Sequence, residues 1–103
     1  LAFDEAGLLW IQTDGNYSNA DDFAGQGNNQ MLAGDPVTGE IRRFLVGPNE
    51  CEVTGLSWSA DRRTMFVGIQ HPGEDGGSHW PDMNDVPRSA IIAVRREDGG
   101  IIG

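Results

Sequence analysis

The feature that most constrains this chain is an internal repeat. The run Leu1-Ala2-Phe3-Asp4-Glu5-Ala6-Gly7-Leu8-Leu9-Trp10-Ile11-Gln12-Thr13 returns, with one residue inserted, as Leu56-Ser57-Trp58-Ser59-Ala60-Asp61-Arg62-Arg63-Thr64-Met65-Phe66-Val67-Gly68-Ile69. In each copy a strand ending in an aromatic meets an acidic turn, then a second apolar strand, then a long polar loop. A hairpin follows each loop, first Met31 to Val46 around Asp35-Pro36-Val37-Thr38-Gly39-Glu40, then Ala90 to Ile102 around Glu97-Asp98-Gly99-Gly100. The Trp10 to Phe66 offset is 56 and the Gly39 to Gly99 offset is 60. A period of that size built only from strands and turns is the mark of a β-propeller blade.

The expected fold is therefore all-β, about two antiparallel four-stranded blades: a blade-like repeat over residues 1–47, truncated at its N-terminus, and a second over 48–103. Alternation, β-branched and aromatic content and turn residues predict strands at Leu1 to Phe3, Leu8 to Thr13, Met31 to Gly34, Ile41 to Val46, Val53 to Ser59, Thr64 to Gln70, Ala90 to Arg96 and Ile101 to Ile102. The expected core is Phe3, Trp10, Leu32, Phe44, Leu56, Trp58, Phe66, Val67, Ile92 and Val94. Two blades do not close a wheel of four to eight, and residue 1 is not Met, so the chain reads as part of a larger propeller. Open strand edges and apolar blade faces then predict self-association.

Charge narrows the partners. The net charge is −9, with seven Arg and no Lys. That balance argues against nucleic acid, whose binding rests on basic contacts to phosphate. It leaves carboxylates to spare for cations, although acidity more often serves solubility. No stretch approaches the length of a membrane span. The single Cys51 cannot form an internal disulfide.

Two loops, Asp14 to Gln30 and His71 to Ser89, are far longer than ordinary strand connections and sit at the same place in the repeat. Equivalent loops of a meander emerge on one face, as does the connection Gly47 to Glu52. Asp14, Glu52 and His71 are thus expected on one rim. Glu52, at the start of an inner strand, is placed either to bind a hard cation or to form a structural ion pair. Asp14-Gly15-Asn16 is an ordinary turn signal as well as a cluster of oxygen ligands. In Gly25-Gln26-Gly27-Asn28-Asn29-Gln30, three consecutive side-chain amides precede a strand, suited to holding the loop's own backbone or to meeting ligand oxygens. His71 has the chemistry of a general acid, a hydrogen-bond donor to phosphate oxygens or a metal ligand, and a lone loop histidine is more often none of these. Asn16-Tyr17-Ser18 fits a glycosylation sequon, a pattern short enough to arise by chance. No Walker A, G-x-S-x-G or HExxH motif is present.

Several longer strings are more specific. Leu9-Trp10-Ile11-Gln12-Thr13-Asp14-Gly15, Gly27-Asn28-Asn29-Gln30-Met31, Gly39-Glu40-Ile41-Arg42-Arg43-Phe44-Leu45, Cys51-Glu52-Val53-Thr54-Gly55 and Gln70-His71-Pro72-Gly73-Glu74, with Trp80-Pro81 and Pro87-Arg88-Ser89, closely resemble the C-terminal region of PhoX-type bacterial alkaline phosphatases. The resemblance implies a six-bladed propeller with calcium and iron in its central site. It also implies hydrolysis of small phosphate monoesters in the periplasm, after twin-arginine export. It carries Asp14 and Glu52 over as calcium-site carboxylates, with Asn28, Gln30 and His71 as weaker candidates for substrate contact or the surrounding shell. The family's iron-binding Cys motif lies upstream of anything in this chain, and Cys51 sits in a different motif. The chain alone is expected to be inactive and metal-poor. A non-catalytic binding scaffold and a metal-dependent lactonase-like hydrolase are the competing readings.

Overall fold

The structure, a computed structural model, describes residues 1–15, 20–84 and 86–103. Among the described residues, seven strands form two antiparallel sheets. The first takes β1 (Ala2–Phe3), β2 (Leu9–Gln12), β3 (Gln30–Gly34) and β4 (Ile41–Val46) in sequence order, and the second takes β5 (Glu52–Trp58), β6 (Met65–Gln70) and β7 (Ala90–Val94). The sole helical turn among the described residues is a 3-10 turn at Asp21–Phe23. None of their helices is long and apolar enough to cross a membrane.

Side-chain capture of backbone donors explains the tight turns. Asp4 accepts from the N–H groups of Ala6 (2.9 Å) and Leu8 (3.0 Å), and its second oxygen accepts from the Trp10 indole at 3.0 Å. The acidic turn therefore also orients the first core aromatic. Asp35 does the same for Val37 at 2.8 Å, and Gly39, at φ 76°, closes that hairpin in the left-handed region that glycine enters freely. In the second copy the Asp61 carboxylate accepts from Ser59 Oγ (2.7 Å) and the Arg63 N–H (3.1 Å).

The core lies between the sheets. Trp10 and Met31 of the first face Val53, Met65, Val67 and Ile69 of the second, with Cys51 beside them. Period-two geometry sets this arrangement: Met65, Val67 and Ile69 alternate inward along β6, and Phe66 points to the opposite face. Part of the expected core is thereby corrected. Trp10 and Val67 are buried, and Leu32, Leu56, Trp58, Ile92 and Val94 are half-buried. Phe3, Phe44 and Phe66 remain exposed, at 63%, 38% and 37%. Phe44 still meets Trp10 edge-on, with ring centroids 4.9 Å apart.

The eighth expected strand is not formed, so the second sheet has three strands. The Ile102 N–H donates to the Arg62 carbonyl at 2.8 Å, which lays that segment across the β5–β6 turn instead of alongside β7. Ile102 packs on the core from there. β7 likewise ends at Val94, two residues before the expected end. The Arg95 guanidinium then donates to Thr64 Oγ1 at 3.0 Å.

Candidate functional site

The two long loops and the connection between the sheets meet at one end of the molecule, held there by hydrogen bonds between residues far apart in the sequence. The Thr13 N–H donates to the Gln30 carbonyl at 3.0 Å, extending the β2–β3 ladder by one step. The Val53 N–H donates to the Thr13 carbonyl at 3.2 Å, which ties the end of β2 to the beginning of β5. Asp14 and Glu52, each next to one partner of that bond, therefore leave the backbone at the same end.

Asn29 is the knot beneath them. Its Oδ1 accepts from Thr13 Oγ1 (2.8 Å) and the Gly15 N–H (2.7 Å), while its Nδ2 donates to the carbonyls of Gly15 (3.0 Å) and Cys51 (2.9 Å). All four hydrogen-bonding positions of this buried amide, two lone pairs and two N–H groups, are used, so Asn29 is a structural residue. Asn28 also serves the backbone, donating to the Gly47 carbonyl (3.2 Å) and to Asn49 Oδ1 (2.9 Å). Gln30 differs. It is buried, and its Oε1 meets no donor.

Glu52 and His71 are brought together. His71 Nε2 lies 3.6 Å from Glu52 Oε2, and Nδ1 lies 3.4 Å from Glu74 Oε2 and 3.3 Å from the Glu50 carbonyl oxygen. Desolvation acts to lower the His71 pKa. It is outweighed by hydrogen bonding with the residue's own backbone and the Glu50 carbonyl and by the Glu74 and Glu52 carboxylates, so the imidazole sits above its ordinary value of 6.5. Asp14 is exposed and takes no part in this contact.

The donor set suits a hard cation in kind, since carboxylate and amide oxygens dominate it. Among the described residues, however, no three His, Cys, Asp or Glu side chains converge closely enough to hold a metal. The Cys51 thiol is buried against Gly47, and burial pushes its pKa up to about 11, so it rests as the neutral thiol. The sequon Asn16-Tyr17-Ser18 lies outside the described residues.

Two features escaped the sequence reading. Asn29 stood among three equivalent-looking amides, and only the fold separates it from its neighbours. Glu50 carries no local signal, yet its Oε2 accepts from the N–H groups of Asp75 (2.8 Å) and Gly77 (3.0 Å).

Two packed antiparallel meanders with an acid–imidazole cluster at one end define an all-β class in which long loops present the polar groups. The sequence model described as alkaline phosphatase PhoX matches residues 1–73. A solved structure, Pseudomonas fluorescens PhoX in complex with vanadate, a transition state analogue, is 65% identical over 98% of this chain, with a TM-score of 0.92. The chain belongs to the PhoX alkaline phosphatase family. It spans 18% of the length of that Pseudomonas protein. No curated protein matches it.

Proposed function

We propose that this chain is part of a metal-dependent phosphatase that hydrolyses small phosphate monoesters, and that it contributes one sector of the active-site rim. The observation that carries this reading is the 65% identity, at a TM-score of 0.92, to a PhoX protein in complex with vanadate, a transition state analogue. The two sheets are, on this reading, consecutive propeller blades over residues 1–47 and 48–103, and their outer faces meet further blades.

Asp14 and Glu52 are the residues of this chain that would hold calcium. Their place at one end of the sheets, joined through Val53 and Thr13, supports that role. Bound cations would supply positive charge to polarise the phosphoryl oxygens and to offset charge developing in the transition state. Gln30 Oε1 is a buried acceptor with no donor among the described residues, and a group from the rest of the parent protein would meet it. His71, whose Nε2 faces Glu52 and whose Nδ1 faces Glu74, would donate to a phosphate oxygen by exchanging one of these partners for it. Iron, if used, takes its ligands from outside this chain. Asn28, engaged with Gly47 and Asn49, shapes the loop around the site.

The isolated chain would lack turnover, because two carboxylates without their remaining ligands bind calcium poorly. By the family resemblance the parent enzyme is periplasmic. The test is phosphate release by the full-length protein with and without a chelator. Chelator-sensitive release supports the proposal; hydrolysis of lactones without phosphate release, or no hydrolysis at all, contradicts it.

A further inference from the structure

We propose that Glu50 is a positioning residue of this site, a latch that holds the 71–77 loop so that His71 stands over Glu52. The inference rests on the functional reading above and adds a role for a residue that does not itself face the substrate. Three observations carry it.

First, residues 49–50 and 71–77 are zipped together along their length. The Glu50 carboxylate takes the Asp75 and Gly77 N–H groups at 2.8 and 3.0 Å, Asn49 Nδ2 donates to the Gly77 carbonyl at 3.1 Å, and the Gly73 N–H donates to the Asn49 carbonyl at 3.0 Å. A charged acceptor for two backbone donors makes the strongest of these links. Second, the backbone carbonyl of the same Glu50 lies 3.3 Å from His71 Nδ1, so one residue fixes both the loop and the imidazole ring. Third, both partners are non-glycine residues in the left-handed region, Glu50 at φ 63° and His71 at φ 37°. Such strain persists only where surrounding contacts over-determine it, and it gathers at functional sites. A glycine would relieve the strain at position 50 but would forfeit the carboxylate.

The loop side is equally committed. A Cβ on Gly77 would collide with the Glu50 carboxylate, so any other residue there forces that carboxylate to move from its present place. With one carboxylate oxygen committed to two backbone donors, Glu50 acts on the site through His71.

The test uses the full-length protein and three variants: Glu50→Ala, Gly77→Ala and Glu50→Gln. Hydrogen exchange read by mass spectrometry over residues 71–77 should quicken about tenfold in the first two. The kcat for p-nitrophenyl phosphate should fall about tenfold, since a displaced group at a reacting centre costs rate. Glu50→Gln keeps an accepting oxygen and should restore most of both. Gly77→Ala leaves Glu50 intact, which keeps the test open if Glu50→Ala fails to fold. Unchanged exchange in an active protein, or faster exchange with kcat unaltered, overturns the positioning role alone. A wild-type enzyme that releases no phosphate overturns the functional reading, whatever the exchange data show.

Discussion

The Val53 N–H donates to the Thr13 carbonyl across 3.2 Å, and this bond closes the seam between the sheets at the end where Asp14 and Glu52 emerge. Thr13 also donates its hydroxyl to Asn29, whose amide reaches on to Cys51, so the seam has a second thread under it. The acids are placed by backbone and amide bonds, and the cost of holding like charges at one end falls on the fold.

Asn29→Ala should therefore be among the more damaging single changes in this chain. Four hydrogen bonds disappear and several buried groups lose their partners, which costs on the order of 2–4 kcal/mol. Denaturant unfolding of the chain measures it. A loss below about 1 kcal/mol would mean that water replaces the amide without penalty.

Neighbours on β6 should respond in opposite ways. Met65 is fully buried, whereas Phe66 is 37% exposed on the other face. Met65→Ala should cost about 2–5 kcal/mol, with Phe66→Ala clearly milder in this chain. Equal losses would contradict the assignment of faces.

That pair also shows how far the sequence could be read. Strand identity was legible because hydrophobic runs and turn residues are local signals: Ile41 to Val46 was expected as a strand and forms as one. Which of Phe66 and Val67 faces the core was not, since both are apolar and the parity of a strand is set by its partner. The long-range ties were equally hidden. Asn29 reaches Cys51, and Glu50 reaches Gly77, across 22 and 27 positions that no local pattern links. The rim residues follow from loop equivalence; the structure brings Glu52 to His71, and Asp14 is exposed.

The turn carboxylates predict an acid limit to stability. Hydrogen bonds from Val37 and Thr38 lower the Asp35 pKa below 3.8. Asp61 is lowered by Ser59 and Arg63, and Asp98 by Gly100 and Arg96. Groups depressed in the folded state stabilise it above the unfolded value and lose that effect as pH falls through the folded one. The unfolding midpoint should drop as pH falls from about 4 toward 2, and less steeply in Asp35→Asn. His71 has the reverse sign: its pKa is raised, so its contribution is complete below 6.5 and fades as pH rises through the folded value. Proton NMR of the imidazole should show a midpoint above 6.5, and Glu52→Gln should bring it down. An unmoved midpoint would contradict the pairing.

The outer sheet faces predict self-association of the isolated chain. Phe3, Ile41 and Val46 are exposed on strands of the first sheet, and Phe66 and Ile91 on those of the second. Apolar faces of that kind seek cover from water. Light scattering at increasing concentration should give a mass above 11.1 kDa. A constant monomer mass would show that these faces tolerate solvent.

The central claim is that Glu52, together with Asp14, is a calcium-site carboxylate of a phosphatase. Glu52→Gln in the full-length protein preserves shape and removes one anionic oxygen ligand, so the decisive measurement is phosphate release titrated against calcium in wild type and variant. Calcium affinity and turnover should fall together, each by about tenfold or more. Unaltered calcium dependence and turnover would contradict the claim, leaving Glu52 as the structural ion-pair partner of His71.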